Sequence, residues 1–306
     1  MSFASQVRKE LCSNTTSSIS KLRAELYGMM LFAKKFSASK ITFKTENNYT
    51  VNRYINLSEN LFVPLIEKTS TLKAKKNNTK LYTVNFIDEN DCRRIFEDFG
   101  HSDKKISLRI NWANIDDDDL LSSFLRGVFL SCGSITNPEK SYHLEFCVPY
   151  KNLSSDLCRV FEEISQCSIK ASVINRGGVF VTYIKGSEQI TDLLTYIGAV
   201  NSAMEIMGTK AVKQVRNNVN RKRNSEIANI EKVAAASAKQ INAIEKIMKH
   251  KKLESLPDDL KDVAYLRLEN PDMSLRALGE SLNPKISRSG VNHRIQRLIQ
   301  IAEEIK

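Results

Sequence analysis

One helical pattern occurs twice in the first two hundred residues, first as Leu22-Arg-Ala-Glu-Leu-Tyr-Gly-Met-Met-Leu-Phe-Ala33 and again as Leu121-Ser-Ser-Phe-Leu-Arg-Gly-Val-Phe-Leu-Ser-Cys132. The glycines of the two segments, Gly28 and Gly127, lie 99 residues apart. Glycine inside a helix costs about 1 kcal/mol relative to alanine, so a glycine at the same place twice needs a reason. Close packing supplies one, and the pattern predicts that the two helices contact each other at a pseudo-twofold axis.

The sequence after each of these helices repeats as well. A strand-like segment comes first, followed by a helix, two further alternating strands and a short closing helix. The segments of the first copy are 40–44, 49–62, 70–75, 81–87 and 90–99, and those of the second are 141–148, 152–165, 169–175, 179–185 and 188–197. Their recurrence at nearly the same offset predicts an internal duplication of one α/β unit.

This duplicated pattern resembles the LAGLIDADG homing endonucleases. The resemblance implies paired helices between two repeats and a sheet from each repeat forming a saddle over DNA. In that family the last acidic residue of each helix motif binds the catalytic divalent metal, and the corresponding positions here are Ala33 and Cys132. Neither side chain is a hard oxygen ligand for Mg²⁺. The resemblance therefore predicts the fold, whereas the departure from it at these two positions predicts a protein without nuclease activity, without a metal site and without a cofactor.

Four consecutive acids, Asp116 to Asp119, stand at the start of the second glycine-containing helix and not at its end. Acidic side chains at a helix N-terminus interact favourably with the helix dipole. We therefore predict a structural role for this run and not a metal-binding one.

The C-terminal segment 274–302 has the pattern of a short helix, a tight turn and a second helix. Ser274 and Ser287 stand where N-cap hydroxyls begin the two helices, and Asn283-Pro284 ends the first because proline disfavours helical geometry in the residue before it. Apolar residues at helical spacing support both helices: Leu275, Leu278 and Leu282, then Val291, Ile295, Leu298 and Ala302. The segment predicts a helix-turn-helix, whose second helix presents its first turns to the major groove.

The polar face of that second helix supplies candidate DNA-binding residues. Residues 285–300 contain four basic side chains and no carboxylate, whereas a solvated helix face normally carries both signs. Arg288, Ser289 and Asn292 fall in the first turn and a half, where base contacts occur. Arg294 and Arg297 lie further along and are better placed for phosphates. The full candidate set is Ser287, Arg288, Ser289, Asn292, His293, Arg294 and Arg297.

A basic junction joins the repeats to this tail. Residues 210–225 contain six basic side chains and no acid, which is typical either of a phosphate-binding helix or of a solvated linker. The candidate phosphate-binding residues here are Arg216, Asn220, Arg221 and Arg223. Beyond them, three-four spacing predicts a helix with one apolar seam that docks on a neighbour or on a second copy: Ile227, Ile230, Ala234, Ile241, Ile244 and Met248.

Several motifs are long and unusual: Phe124-Leu-Arg-Gly-Val-Phe-Leu-Ser-Cys-Gly-Ser, Asn137-Pro-Glu-Lys-Ser-Tyr-His-Leu-Glu, Arg216-Asn-x-x-Asn-Arg-x-x-Asn-x-Glu-x-Ala-Asn and Ser287-Arg-Ser-Gly-Val-Asn-His-Arg. In these motifs the sequence is similar to the WhiA family of bacterial regulators, and the resemblance covers essentially the whole chain. It implies a degenerate homing-endonuclease fold joined to a helix-turn-helix domain similar to the promoter-reading domain of sigma factors. It also implies a role in sporulation gene control, or in cell division and chromosome segregation.

We therefore predict an α+β protein with a duplicated LAGLIDADG-like N-terminal domain of αββαββα type and an all-α helix-turn-helix domain. The expected segments are a first repeat over 1–100, a second over 101–205, a basic junction and linker helix over 206–251, and the DNA-binding domain over 252–306. Residues 201–306 carry 20 Lys and Arg against 13 Asp and Glu, a net +7 of the chain's +11. This imbalance favours double-stranded DNA as the partner.

Composition excludes other classes of protein. No apolar run approaches the roughly 20 residues that a membrane-spanning helix needs, and the N-terminus lacks the apolar core of a signal peptide. The six cysteines and four histidines are scattered, which is not the spacing of a zinc or disulfide framework. We expect a cytoplasmic, nucleoid-associated protein with no membrane contact.

Two alternatives to a non-enzymatic DNA-binding regulator stay open at this point. One is a metal-dependent nuclease of LAGLIDADG type that uses displaced acids such as Glu25 and Glu145. The other is an adaptor whose repeats bind a protein, such as another bacterial regulator or the transcription machinery, with DNA binding secondary.

Overall fold

The computed structural model describes residues 1–72, 80–103, 107–250 and 253–305. By its contacts the chain divides into two compact units, Met1–Lys213 and Gln214–Lys306, which we name the repeat unit and the helical unit. The finer division into four segments stays a prediction.

The repeat unit contains two copies of one arrangement, preceded by the helix α1 (Phe3–Ser13). The first copy comprises α2 (Ile19–Leu31), β1 (Lys35–Ser37), β2 (Lys40–Thr45), α3 (Asn48–Phe62), β3 (Ile66–Leu72), β4 (Lys80–Phe86) and α4 (Glu89–Asp98). The second comprises α5 (Asp118–Cys132), β5 (Gly133–Ile135), β6 (His143–Val148), α6 (Lys151–Glu162), β7 (Ser172–Arg176), β8 (Val179–Lys185) and α7 (Ser187–Tyr196). The antiparallel sheets have the orders β1-β2-β4-β3 and β5-β6-β8-β7, which confirms the duplication and the predicted fold class.

The two glycines lie where α2 and α5 cross. A Cβ atom on Gly28 would overlap the backbone carbonyl oxygen of Phe124, and one on Gly127 would overlap that of Glu25. Any other residue at either position would push the two backbones apart. The prediction of a close helix pair from the recurring glycine is therefore confirmed, and the C-terminal half of α2, from Ala24 to Leu31, is buried on every side.

Several elements depart from their predicted bounds. Strand β3 runs over Ile66–Leu72 and not 70–75, and residues 73–75 lie outside the described part of the chain. Its side chains are almost all exposed, as are those of β7, so neither strand shows the alternation that the prediction relied on. Strands β1 and β5 have only three residues each, too few for a periodic signal.

Helix α1 was not predicted, although its apolar side chains have helical spacing. Phe3, Val7 and Leu11 recur every four residues and are buried in the core of the repeat unit. Ser2 caps the helix by accepting a hydrogen bond from the backbone N–H of Ser5. The helix also carries a cation, the partly buried Arg8.

The acidic run at 116–119 begins α5, as predicted. The Asp117 carboxylate accepts a hydrogen bond from the backbone N–H of Leu120 at 2.7 Å and so caps the helix. Asp119 forms an ion pair with Lys21 at 2.8 Å. The run thus binds its own helix and the neighbouring α2.

Helix α8 (Val200–Lys249) begins in the repeat unit and ends in the helical unit. In the helical unit it is followed by α9 (Asp258–Glu269), α10 (Leu275–Ser281) and α11 (Arg288–Glu304). Ser274 and Ser287 cap α10 and α11, as predicted. The predicted apolar residues form two cores: Leu278, Leu282, Val291 and Ile295 pack with Val263, whereas Leu298 and Ala302 pack with Ile244, Ile247 and Leu260.

The predicted apolar seam of α8 is covered by the rest of the chain only in part, and its docking on a second copy stays a prediction. Ile227, Ile230 and Ala234 are exposed, and Met248 is 43% exposed. Of the predicted residues Ile244 is buried and Ile241 is half-buried, and Ser237, Gln240 and Ile247 are buried beside them, because the bundle of α9, α10 and α11 covers only the last turns of the helix. Apolar spacing marks a face of a helix, but only a neighbouring element decides how much of that face is covered. None of the helices within the described residues combines the length and apolarity that crossing a membrane requires.

Candidate nucleic-acid interface

The turn between α10 and α11 is held by a close backbone approach. The backbone N–H of Ile286 donates to the carbonyl oxygen of Gly279 at 3.0 Å, and a Cβ atom on Gly279 would overlap the carbonyl oxygen of Ile286. Val291 is fully buried and lies beside Gly279, so α11 rests on the end of α10. This is the arrangement of a helix-turn-helix with α11 as its second helix.

The first turns of α11 present an open polar surface. The Ser287 hydroxyl accepts from the backbone N–H of Gly290 at 3.2 Å and lies 3.1 Å from the hydroxyl of Ser289, so it is committed to the cap. Arg288, Asn292 and His293 are exposed and have no hydrogen bond or ion pair within the described residues. Their donors and acceptors are therefore free for an external partner such as a base edge.

The two arginines predicted to reach phosphates differ from each other. Arg297 is exposed, with no ion pair to any described residue. Arg294 is half-buried, and its Nε lies 3.3 Å from a carboxylate oxygen of Asp259 on α9. That carboxylate competes with a phosphate for the Arg294 guanidinium, so Arg297 is the better phosphate ligand of the pair.

Two further residues of this face were missed. Gln296 and Gln300 are exposed on α11, one and two turns after Asn292. A glutamine side chain can form two hydrogen bonds with adenine, as asparagine does. A signal for them exists in the sequence, since both residues continue the helical spacing from Asn292.

The residues of the basic junction all lie on α8. Arg216, Asn220 and Arg223 are exposed on one side of the helix, whereas Arg221 points away from them. None of these four has an ion pair within the described residues. By contrast, Lys210 pairs with Glu188 at 2.7 Å, and Lys213 donates to the carbonyl oxygen of Pro138 at 2.7 Å. The charge of the junction that is open to a partner is therefore smaller than the sequence suggests.

The acid proposed as a displaced metal ligand in the first repeat is already neutralised. Glu25 is fully buried between α2 and α5. Its two carboxylate oxygens accept from Nε and Nη2 of Arg53, each at 2.8 Å, and Arg126 lies 3.5 Å from one of them. The hydrogen bond with Glu25 raises the pKa of Arg53. Two guanidinium groups thus stand where a metal would have to bind.

The other positions relevant to a nuclease offer no better ligand. Glu145, on β6, pairs with Arg176 at 3.1 Å and lies 3.2 Å from His143. Ala33 is buried, and the thiol of Cys132 donates to the carbonyl oxygen of Val128 at 3.5 Å. Burial raises the pKa of the Cys132 thiol well above its usual range, which keeps it protonated. Among the described residues no group of three or more His, Cys, Asp or Glu is arranged to hold a metal.

Close to Cys132 lies a cation whose place in the structure the sequence did not reveal. Arg8, on α1, donates a hydrogen bond to the carbonyl oxygen of Gly133, the residue after Cys132. Its guanidinium also lies over the Phe129 ring, 5.7 Å from the ring centroid. Burial lowers the pKa of Arg8 below its usual value. A fixed positive charge at the end of α5 opposes the binding of a divalent cation there.

Comparison with known proteins places these two arrangements in one family. The model of the WhiA LAGLIDADG-like domain matches residues 121–216, and that of the WhiA C-terminal HTH domain matches residues 219–302. A protein of Clostridium beijerinckii named probable cell division protein WhiA is 38% identical, with 100% of this chain and 99% of that protein covered. The chain belongs to the WhiA family.

Other WhiA proteins also match this chain over its full length. A relative of the same name from Clostridium perfringens is 35% identical over 100% of this chain and 99% of its own length. The crystal structure of full-length DUF199/WhiA from Thermotoga maritima matches with a TM-score of 0.61 at 28% identity, covering 100% of this chain and 99% of that one. The resemblance inferred from the motifs is therefore confirmed, and so is the combination of a LAGLIDADG-like domain with a helix-turn-helix domain.

Proposed function

We propose that this WhiA protein is a sequence-specific DNA-binding protein, a transcriptional regulator that acts in cell division, chromosome segregation or sporulation. The observation that carries the proposal is the start of α11. There Arg288, Ser289, Asn292 and His293 are exposed together on the second helix of a helix-turn-helix. Side chains in this position read base edges in the major groove.

The residues divide by the groups that they reach. Arg288 has the donors to bond guanine, and Asn292 and Gln296 have the donor and acceptor pair that adenine requires. Arg297 on α11 and Arg216 and Arg223 on α8 supply positive charge for phosphates, which contributes affinity without sequence preference. We place the protein with the DNA of the nucleoid, in the cytoplasm.

The proposal includes the absence of nuclease activity. The donor set does not fit a catalytic divalent metal, because Glu25 is neutralised by Arg53 and Arg126 and Arg8 places a cation beside Cys132. A hard cation needs free carboxylate oxygens, and the two acids considered as displaced ligands are both engaged in ion pairs.

A protein partner, another regulator or part of the transcription machinery, belongs to the same proposal. Its support is the exposed apolar face of α8, where Ile230 is 68% and Val233 50% exposed. Exposed apolar side chains in a row are common at protein interaction surfaces. A pull-down after nuclease treatment tests this: an identified regulator should be retained by the wild type and lost with Ile230→Glu. Equal retention by both would remove this part of the proposal.

The experiment for the central function maps the DNA bound by the full chain across a genome and then measures binding to one recovered fragment. The fragment should bind at least about a thousandfold more tightly than a scrambled duplex of equal composition, which is the lower range for specific DNA-binding proteins. Incubation of the same fragment with Mg²⁺ or Mn²⁺ should leave it intact. Equal affinity for both duplexes would overturn the specificity, and metal-dependent cleavage would overturn the absence of an enzyme.

A further inference from the structure

A cavity of about 300 Å³ that is open to solvent lies in the helical unit, between the C-terminal part of α8, the loop from α9 to α10, and the start of α11. Val233 and Gln240 on α8 line one side, and Arg267, Leu275 and Arg288 line others. Its volume is at the lower end of the range for small-molecule sites. It meets the predicted DNA-reading face at Arg288 and the apolar core of α10 and α11 at Leu275.

Two buried side chains at this cavity have polar atoms without a partner. Gln240 is 7% exposed and Arg267 is 2% exposed, and both line the cavity. The Oε1 atom of Gln240 and the Nε atom of Arg267 form no hydrogen bond within the part of the chain that the structure describes. A buried donor or acceptor left without a partner is costly, and native proteins rarely tolerate one unless a ligand or water completes it.

Arg267 is also a buried cation without a counter-ion. Its hydrogen bonds go from Nη1 to the carbonyl oxygens of Asn270, Pro271 and Met273, the last at 2.7 Å. Within the described residues no carboxylate lies at ion-pair distance from it. Burial alone lowers its pKa, with no neighbouring charge acting against that effect. These three carbonyls fix the guanidinium in place but leave its charge uncompensated.

The other charged side chains of the lining carry the same sign as Arg267. Arg276 and Arg288 join Arg267 at the cavity, and no acidic side chain of the described residues lines it. Arg276 is exposed and forms an ion pair with Glu280 at 3.0 Å, which offsets part of its charge. Arg288 has no such partner among the described residues. Several guanidinium groups around one small cavity are the arrangement that proteins use to bind phosphate groups.

We propose that this cavity binds a small phosphorylated compound, with its phosphate held by Arg267, Arg276 and Arg288 and a hydroxyl of its body bound to Gln240. The apolar side chains Val233 and Leu275 indicate a ligand larger than a bare phosphate ion. A phosphate of the DNA backbone does not fit, because Arg267 and Gln240 lie below the surface, where a rigid duplex does not reach.

The proposed ligand would act on DNA binding through one shared residue. Arg288 lines the cavity and is also the first residue of the DNA-reading helix. A phosphate that engages Arg288 removes it from the base edge, so the ligand should weaken specific DNA binding. This consequence rests on the proposed function, whereas binding of the ligand itself does not.

Titration calorimetry on the full chain tests the binding directly and without DNA. Ribose 5-phosphate serves as the probe, ribose as the uncharged control and inorganic phosphate as the small control. We expect ribose 5-phosphate to bind at millimolar or lower concentration, inorganic phosphate more weakly, and ribose not at all. Arg276→Ala should weaken the binding about tenfold, the loss expected for one charge-assisted hydrogen bond.

Two further variants separate the cavity from the general basic surface. Gln240→Leu removes the unpartnered amide and should weaken ribose 5-phosphate binding by up to about tenfold. Val233→Trp fills the cavity from an exposed position and should abolish the isotherm while thermal unfolding stays cooperative. Arg297→Ala, an exposed arginine outside the cavity, should leave the isotherm unchanged within about twofold. An equal loss with Arg297→Ala, or no isotherm with the wild type, would overturn the proposal.

A DNA-binding measurement tests whether the cavity binds a phosphate of DNA instead of a small compound. Without ligand, Gln240→Leu should bind DNA as the wild type does, with the same salt dependence. If that variant instead binds DNA more weakly than the wild type in the absence of ligand, the cavity holds a DNA phosphate and the small-ligand proposal is wrong. Loss of specific DNA binding by the wild type would contradict the proposed function but would not affect the calorimetric result.

Discussion

The crossing of α2 and α5 and the open face of α11 both contain glycine, arginine and polar side chains, but they use them in opposite ways. At the crossing, Gly28 and Gly127 leave no space for a Cβ atom, and Glu25 is enclosed by two guanidinium groups. On α11, a Cβ atom on Gly290 would meet its nearest neighbours at 3.6 Å, an ordinary contact. Charges that are buried and paired are part of the packing of the protein, whereas charges that are exposed and unpaired are available to a partner.

Substitution of a crossing glycine should have the largest effect. Gly127→Val places a side chain on the carbonyl oxygen of Glu25, so the helices must separate, and we expect the free energy of unfolding to fall by about 5 kcal/mol or more. Gly290→Ala is the matched control on α11, where alanine should stabilise by up to about 1 kcal/mol through helix propensity. Denaturant unfolding followed by circular dichroism measures both, and similar effects for the two would remove the distinction between the regions.

Substitution in the buried charge cluster around Glu25 should have the next largest effect on stability. Glu25→Gln leaves Arg53 and Arg126 without their shared carboxylate, and we expect a loss of about 3 kcal/mol, the lower value for breaking a buried ion pair because both arginines keep some exposure. Glu145→Gln breaks an ion pair at the sheet surface and should cost less than about 1 kcal/mol. Thermal unfolding compares the two variants. A Glu25 variant as stable as the wild type would mean that this carboxylate is not structural.

On α11 the effects should appear in binding and not in stability. Replacing Arg288 by Ala should cost about 1–3 kcal/mol on the cognate duplex, because it removes a base contact. Arg297→Ala should weaken cognate and scrambled duplexes alike and reduce the salt slope by about one. Fluorescence anisotropy at several salt concentrations gives both quantities. A salt slope unchanged in Arg297→Ala would show that its guanidinium does not contact phosphate.

Addition of a divalent metal ion should have the smallest effect, both on the heat of binding and on the melting temperature. With Glu25 neutralised and Arg8 beside Cys132, Mg²⁺ added to the full chain should give no stoichiometric heat and no rise in melting temperature. Calorimetry without DNA is the direct measurement. A one-site or two-site isotherm would show that carboxylates of the repeat unit are available after all.

The features that could be predicted from the sequence are those for which the signal lies within one short segment. A recurring glycine predicted the crossing of α2 and α5, and serine caps with apolar spacing predicted α10 and α11. Each signal is local, since a cap or a helical period acts within a few residues. The duplication could be recognised for the same reason, because it is a comparison of the chain with itself.

The rest depended on neighbours that a sequence does not show. Ile227 and Ile230 continue an apolar period, but no element of the helical unit covers them. Arg8 reaches the end of α5 from a separate helix. Likewise Gln240 and Arg267 are ordinary residues of α8 and α9, and only the fold makes both of them line one cavity.

The most direct test of DNA reading by α11 is selection of bound sequences from a random duplex pool by the full chain. The wild type should yield a defined motif, and Asn292→Ala should yield the same motif with preference lost at one base pair only. Arg297→Ala should recover the wild-type motif unchanged. If Asn292→Ala instead selects the wild-type motif in full, or if the wild type selects no motif, α11 does not read DNA as proposed here.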